Sequence, residues 1–135
     1  MIAYSITKSV SIDAPASEVF EFLADLSNWP QWAVVHIKAL VPADGEWWDL
    51  KTAVGGAKMR LRADAASGVL DHDFDDTQAQ WSVAARVVAN GTGCDLVMSF
   101  FQPPMFSQAA FQRDVALVDE ELARLKMLME SRVLA

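Results

Sequence analysis

The first part of the chain alternates apolar and polar side chains and then changes abruptly to a helical period. From residue 2 to residue 12 the apolar row includes Ile6, Val10 and Ile12, and a two-residue period predicts a half-buried strand. Pro15 follows almost at once and suits the first turn of a helix, where its missing N–H is not needed. The helix predicted beyond it has apolar residues at three- and four-residue spacing, which are expected to face a core: Val19, Phe22, Leu23 and Leu26.

Two further helices are predicted from capping residues and periodicity. Asn28 is expected to cap a short helix that runs through residues 29–32, because its side-chain oxygen suits a free backbone N–H. Residues 106–132 predict one long helix with Ser107 as its N-cap. A coiled-coil hairpin is the alternative for this helix, but packing on a sheet is favoured. Its apolar stripe consists of Phe111, Val115, Val118, Leu122, Leu125 and Met129.

The middle of the chain is rich in strand patterns. Six runs are predicted as strands: residues 35–41, 46–53, 57–64, 68–74, 80–89 and 93–101. Gly55-Gly56 and Asn90-Gly91 supply the positive backbone angles of tight hairpins, so neighbouring strands are expected to be antiparallel. With the first strand these runs predict an α+β fold in which a seven-stranded antiparallel sheet packs on the long C-terminal helix. The 135 residues fit a single domain, 1–135.

Composition and charge narrow the classes of function. The net charge of −7 disfavours nucleic acid and anionic lipid surfaces as partners. Cys94 is the only cysteine, so the chain forms no internal disulfide, and a reducing cytoplasm is the expected location. No run approaches the about 20 apolar residues of a membrane span, and the first residues lack a signal-peptide pattern.

No motif for a metal, a nucleotide or a hydrolytic nucleophile is present in the sequence. His36, His72 and Cys94 lack the close spacing of a zinc site, and no cofactor is expected. The run Asp71, Asp73, Asp75 and Asp76 lacks the loop spacing of an EF-hand. Alternation places the first three on one face of a strand, where a solvated face that protects a sheet edge is the expected role.

The order and spacing of several short motifs resemble the START/SRPBCC superfamily, which includes polyketide cyclase-like proteins. The resemblance rests on Ile12-Asp13-Ala14-Pro15, Val19-Phe20, Trp29-Pro30-Gln31-Trp32, Gly68-Val69-Leu70-Asp71-His72, and the helix after Gln102-Pro103-Pro104. It covers nearly the whole chain and is strongest with short bacterial members of unassigned activity. The resemblance implies a helix-grip fold, with the sheet curled around the C-terminal helix and a cavity for an apolar or amphipathic ligand between them. It implies no single reaction.

The two histidines are expected to differ in their surroundings. If Asp71 and Asp73 face water, His72 faces the interior as a polar group in an apolar wall. It is then a candidate for orienting a ligand or for proton transfer, together with Tyr4, and the alternative is a core histidine bonded to the backbone or to Tyr4. His36 is expected to point outward into solvent, because Val35 and Ile37 form the better inward row.

Aromatic and soft apolar residues on the inward rows are candidates for a ligand-binding wall. The alternative is that they fill the core completely. The candidate ligand-binding residues are Trp32, Trp48, His72, Phe74, Trp81, Met98, Phe100, Phe111, Val115 and Val118.

Three functions follow from these candidates. The first is binding of a small hydrophobic or amphipathic molecule in an internal cavity. The second is a cyclase- or aromatase-like enzyme that uses His72 for proton transfer, and the sequence leaves open whether the chain is an enzyme. The third is a protein-interaction module, in which an exposed Trp47 contributes to a dimer patch. A monomer and a homodimer are both compatible with the sequence.

Overall fold

The computed structural model describes residues 1–134, and the side chains of residues 1–132. The elements are β1 (Ser5–Ile12), α1 (Ala16–Leu23), a 3-10 helix (Leu26–Gln31), β2 (Ala39–Pro42), β3 (Trp48–Thr52), β4 (Gly55–Asp64), β5 (Val69–Asp75), β6 (Gln80–Asn90), β7 (Gly93–Phe101), α2 (Gln108–Ala116) and α3 (Val118–Leu134). The strands form one antiparallel sheet in the order β1-β7-β6-β5-β4-β3-β2. The predicted α+β helix-grip fold with seven antiparallel strands is confirmed.

The helices cover the apolar face of the sheet. Helix α3 packs on β1, and α1 packs on β6 and β7. Met59, Leu70 and Leu125 are almost completely buried between these layers. Because strand residues alternate between the two faces, the same rows that bury Met59 and Leu70 also turn His72 and Phe74 toward the helices. The fold therefore places two of the sequence-predicted site residues, His72 and Phe74, on the inward face of the sheet.

The 3-10 helix begins with a different cap from the one predicted. Asp25 has extended backbone angles, and its carboxylate accepts a hydrogen bond of 3.0 Å from the N–H of Ser27. Asn28 lies inside the helix, where its side-chain amide donates to the carbonyl of Phe22 at 3.0 Å. The prediction of Asn28 as the cap is wrong because the helix begins three residues earlier than the aromatic motif suggests. Asn28 instead ties this helix to α1.

The C-terminal helical segment has the predicted cap and the predicted stripe. Ser107 accepts a hydrogen bond of 3.1 Å from the N–H of Ala110 through its hydroxyl. A single interruption at Leu117, whose N–H donates to the carbonyl of Asp114 at 3.2 Å, separates α2 from α3. All six residues of the predicted stripe are buried. The long helix is thus confirmed, with one tightened turn near its middle.

Replacement of Ser107 by Ala is expected to lower the free energy of unfolding by about 1 kcal/mol, because the N–H of Ala110 loses its acceptor. Ser131→Ala is the matched control. Ser131 is an exposed serine near the end of α3, and its hydroxyl donates to the carbonyl of Met127 instead of accepting from a backbone N–H. Urea unfolding of both variants measures the difference. Equal losses in the two variants would contradict the capping role.

The region between the 3-10 helix and β3 departs from the predicted strands. The strand predicted over residues 35–41 begins only at Ala39, and the strand predicted over residues 46–53 begins at Trp48. Residues 33–37 instead form a helical turn, in which the N–H of Ile37 donates to the carbonyl of Ala33 at 2.8 Å. Side chains in such a turn do not alternate between two faces as they do in a strand. The orientation predicted for His36 from strand geometry is therefore wrong.

The acidic run does not protect a sheet edge, because β5 is the central strand of the seven. Asp73 is 8% exposed on the outer face, and its carboxylate accepts hydrogen bonds from Arg60, Arg62 and Ser82 at 2.6 to 3.0 Å. Burial alone raises the pKa of Asp73, but the hydrogen bonds from Arg62, Ser82 and Arg60 outweigh it and lower that pKa well below its usual range. The carboxylate is a structural anchor for three strands.

Candidate functional site

Five aromatic rings form a continuous row on the inward side of the sheet, called here the aromatic row: Trp32, Trp29, His72, Phe74 and Trp81. Successive ring centroids are 5.0, 4.9, 5.5 and 5.4 Å apart. Trp29, Trp32 and His72 are each at most 4% exposed, whereas Phe74 and Trp81 are half-buried. The row therefore runs from the interior to a partly exposed rim.

The 3-10 helix region and two neighbouring strands, β5 and β6, supply the row. The 3-10 helix carries Trp29, whose indole N–H donates to the carbonyl of Leu23 at 2.8 Å, and Trp32 is the residue that follows the helix. Strand pairing places Phe74 beside Trp81 on the next strand, where the two rings stack with 20° between their planes. His72 meets both Trp29 and Phe74 edge to face. Such contacts add to the stabilisation that burial of the rings provides.

His72 presents one unprotonated ring nitrogen. Its Nδ1 lies 2.9 Å from the carbonyl of Leu70, and because a carbonyl only accepts, Nδ1 carries the proton. Nε2 is then the unprotonated nitrogen, and within residues 1–132 it has no hydrogen-bond partner. Burial lowers the pKa of His72 to about 4, despite the raising effect of the Leu70 carbonyl. The ring is neutral at neutral pH and offers a hydrogen-bond acceptor.

Tyr4 lies against α2, and no hydrogen bond joins it to His72. Its hydroxyl oxygen accepts from the side-chain amide of Gln112 at 3.0 Å, and its ring meets Phe111 edge to face at 5.9 Å. Tyr4 is 37% exposed, whereas His72 is 1% exposed. The structure therefore gives the two proposed proton-transfer residues separate partners.

The other sequence-predicted ligand residues divide into a buried set and a half-buried set. Trp48 and Phe100 are half-buried and pack against the core, close to the outer end of the aromatic row in strand register. Met98, Phe111, Val115 and Val118 are buried, the last three on α2 and at the start of α3.

The interior holds little free volume. A cavity of about 10 Å³ lies between the 3-10 helix and the sheet, and its lining includes Trp29, Trp32, Leu70, Ala85 and Met98. That volume is on the order of one water molecule. A shallow, open groove of about 360 Å³ lies between the β3–β4 hairpin and the β5–β6 turn, lined in part by Leu50, Ala57 and Asp75. Within the described residues the inward side chains therefore mostly fill the core.

His36 forms a cluster with two carboxylates that sequence reasoning missed. Its Nδ1 lies 2.8 Å from Oε1 of Glu121, and its Nε2 lies 2.9 Å from Oδ1 of Asp114. The second carboxylate oxygen of Glu121 accepts from the backbone N–H groups of Val35 and His36 at 3.1 and 3.0 Å. Glu121 is 3% exposed. Its position beside Leu122 and one turn after Val118 was the available signal that it faces the core.

The pKa of His36 is strongly raised. Burial by itself lowers it, but hydrogen bonds to Asp114 and Glu121 and the charges of both carboxylates outweigh this effect and raise the pKa of His36 to about 10. The ring is consequently a cation at neutral pH and donates from both nitrogens. The cluster therefore fastens the turn at residues 33–37 to α2 and α3, and it has no hydroxyl or thiol nucleophile among its members.

Comparison with known proteins identifies the family to which the chain belongs. Residues 3–130 match the model of a family described as "Polyketide cyclase / dehydrase and lipid transport". The chain belongs to this family. A search of curated proteins found no significant match.

In the described part of the chain, no three His, Cys, Asp or Glu side chains are grouped so that they can hold a metal ion. None of the described helices is long and apolar enough to cross a membrane.

Solved structures share the fold at low sequence identity. A START superfamily protein from Mycobacterium smegmatis has a TM-score of 0.71 at 14% identity, covering 94% of this chain and 97% of its own. The Aha1 dimer from Colwellia psychrerythraea has a TM-score of 0.74 at 10% identity, with 94% and 96% covered. DynU16, from the dynemicin biosynthetic locus, has a TM-score of 0.67 at 16% identity and covers 93% of this chain with 47% of its own.

Proposed function

We propose that this family member binds a small hydrophobic or amphipathic molecule in the cytoplasm, and that the ligand contacts the aromatic row from its half-buried end. The observation that carries the proposal is the row itself, which joins an accessible pair of stacked rings, Phe74 and Trp81, to a buried neutral imidazole. Aromatic faces offer large apolar area with few polar demands, and His72 adds one acceptor that fixes orientation.

The charges of the site favour a neutral ligand. His72 is uncharged at neutral pH because its pKa is about 4, so it provides no attraction for an anion. The net charge of −7 further disfavours acids such as free fatty acids. A ring or chain with one hydroxyl or N–H group matches the free Nε2 of His72.

Binding requires side chains to move, because the present cavity holds about 10 Å³. Met98 lines that cavity and has an unbranched side chain that adapts its shape readily. Ala85 pairs with Met98 across β6 and β7, so little bulk opposes this movement from the neighbouring strand. The half-buried Phe74 and Trp81 form the part of the proposed binding site that a ligand can contact before any side chain moves.

Phe74→Ala is expected to weaken the binding of naphthol about five- to tenfold, because one face of the stacking pair is lost. Isothermal titration of naphthol, with decanol as an aliphatic second probe, measures the affinities. Trp47→Ala is the matched control, since Trp47 is a half-buried aromatic residue whose ring is covered by Arg60 at 4.7 Å rather than by the aromatic row. Its affinity for naphthol is expected to be unchanged.

Two results would count against the binding function. One is that neither naphthol nor decanol binds the wild-type protein, and that native mass spectrometry of the purified protein gives only the mass of the bare chain. The other is that Trp47→Ala weakens binding as much as Phe74→Ala does, which would move the site to the other face of the sheet. Circular dichroism of both variants checks that the fold is retained.

A cyclase-like enzyme is the second candidate, favoured by the family description and by the locus of DynU16. In such a reaction Nε2 of His72 can accept a hydrogen bond, but its pKa of about 4 makes the ring only a weak base, so it is poorly suited to take a proton at neutral pH. Tyr4 bonds to Gln112 and has no hydrogen bond to His72. Binding alone therefore ranks above catalysis. An interaction module has less support, since Trp47 is half-buried beneath Arg60.

A further inference from the structure

The inner end of the aromatic row carries a buried hydrogen-bond donor without an acceptor. Among the residues that the structure describes, the indole Nε1 of Trp32 is the one side-chain nitrogen or oxygen atom that has neither accessible surface nor a hydrogen-bond partner, whereas the unpartnered Nε2 of His72 retains a trace of accessible surface. Trp32 is 2% exposed. Trp29, three residues earlier and in contact with it, is also buried, yet its indole N–H donates to the carbonyl of Leu23. Buried polar groups in native proteins are nearly always paired, so the unpaired indole requires an explanation.

A water molecule is a poor explanation for this donor. Trp32 lines the cavity of about 10 Å³, whose volume suffices for one water. The remaining lining is apolar or already bonded: Leu23, Trp29, Leu70, Ala85, Leu96 and Met98. A buried water needs two to four polar partners, but the wall of this cavity is apolar, and the indole N–H of the adjoining Trp32 is the one unpaired polar group beside it. The site is better matched by a single acceptor atom that is attached to an apolar body.

We infer that Trp32 donates its indole N–H to a carbonyl or ether oxygen at the inner end of the bound ligand, so that the ligand is a neutral ketone, ester or ether, whose hydroxyl or N–H group, where it has one, faces His72 instead. This inference rests on the proposed function, because the ligand that contacts the rim must reach the inner end of the same row. A hydroxyl group at this inner end would bring a hydrogen that finds no acceptor among the apolar lining residues of the cavity. A carboxylate would be buried without a compensating charge.

Two neutral probes separate the hydrogen bond from the rest of binding. Methyl naphthyl ketone carries the carbonyl oxygen, and isopropenylnaphthalene has a CH₂ group of similar shape in its place. The measured quantity is the ratio of the two affinities in the wild type and in Trp32→Phe. A change in cavity size affects both probes alike and largely cancels in the ratio.

The preference for the ketone over the hydrocarbon is expected to fall about five- to tenfold in Trp32→Phe, the loss that corresponds to one hydrogen bond. In proton–nitrogen correlation spectra of the wild type, which has five tryptophans, the indole proton of Trp32 is expected to move downfield with the ketone and much less with the hydrocarbon. The spectrum of Trp32→Phe assigns that signal by its disappearance. If this variant does not fold, single Trp→Phe variants at the other four tryptophan positions assign their signals, the Trp32 signal follows by elimination, and the wild-type spectra decide.

The outcomes distinguish the inference from the proposed function. If both probes bind and shift the indole signal of Trp81, but the Trp32 signal moves equally with both probes or stays in place, ligand binding stands and the role of Trp32 is overturned. An unchanged affinity ratio in Trp32→Phe overturns it as well. If neither probe binds and naphthol and decanol also fail to bind, the proposed function falls, and this inference falls with it.

Discussion

Replacement of Glu121 by Ala is expected to lower the free energy of unfolding by about 3 kcal/mol, the lower end of the range for a buried ion pair, because the His36 side chain is 31% exposed and keeps Asp114 as a partner. Three groups lose their acceptor at once: the ring of His36 and the backbone N–H groups of Val35 and His36. Glu121 is 3% exposed, so water does not replace these bonds readily. Glu121→Gln keeps an oxygen for the N–H groups but loses the charge, and an intermediate loss is expected.

Asp114→Ala is the matched control for this cluster. Asp114 bonds to the other nitrogen of the same histidine at 2.9 Å, but its side chain is 45% exposed. An exposed ion pair contributes about 1 kcal/mol or less, so Asp114→Ala should be much milder than Glu121→Ala. Urea unfolding followed by circular dichroism measures both. Equal losses in the two variants would show that burial of Glu121 does not determine the strength of the cluster.

The contribution of His36 should also depend on pH. Its folded pKa of about 10 lies above the unfolded value of 6.5, so the folded state holds the proton more tightly. The resulting stabilisation is present in full below pH 6.5 and is lost as the pH rises toward about 10. The difference in stability between the wild type and Glu121→Ala should therefore shrink between near-neutral and strongly alkaline solution. A difference that stays constant would indicate that His36 is not charged in the cluster.

The parts of the fold that follow from local periodicity were predictable from the sequence. The alternation in β4 to β7 and the stripe from Phe111 to Met129 are strong because half of each element is buried. The same alternation placed His72 on the inward face, where it lies. These features depend on neighbouring residues in the chain, and the energetic cost of a slipped register falls on a whole row of side chains.

The features that were missed depend on partners that are distant in the chain. His36 and Glu121 are 85 positions apart, and the sequence around His36 does not indicate that its ring bonds to a buried carboxylate. The two positively charged partners of Asp73 come from β4, and its place in the central strand follows from the order of the sheet rather than from the acidic run. The sequence likewise left undecided whether the interior is filled, because composition does not say whether large side chains meet or leave a cavity.

Acidification from about pH 7 to about pH 5 is expected to remove about 2 kcal/mol of stability through His72 alone. Its folded pKa of about 4 lies below the unfolded value of 6.5, so between these two pH values the ring is protonated in the unfolded state but stays neutral in the folded state. Stability from this group is therefore complete above pH 6.5 and is lost as the pH falls toward about 4. His36 acts in the opposite direction over the same range, by less than about 1 kcal/mol, since its folded form already holds the proton.

The two histidines can be separated by single variants in the same pH range. In His72→Phe the ring remains between Trp29 and Phe74 but does not titrate, so stability should no longer fall on acidification and should rise slightly because His36 still contributes. In His36→Gln the opposing contribution is gone, and the acid loss should become steeper than in the wild type. Urea midpoints at both pH values measure these slopes. An acid loss in His72→Phe as large as that of the wild type would show that the buried imidazole is not its source, and the neutral acceptor assigned to the ligand site would lose its basis.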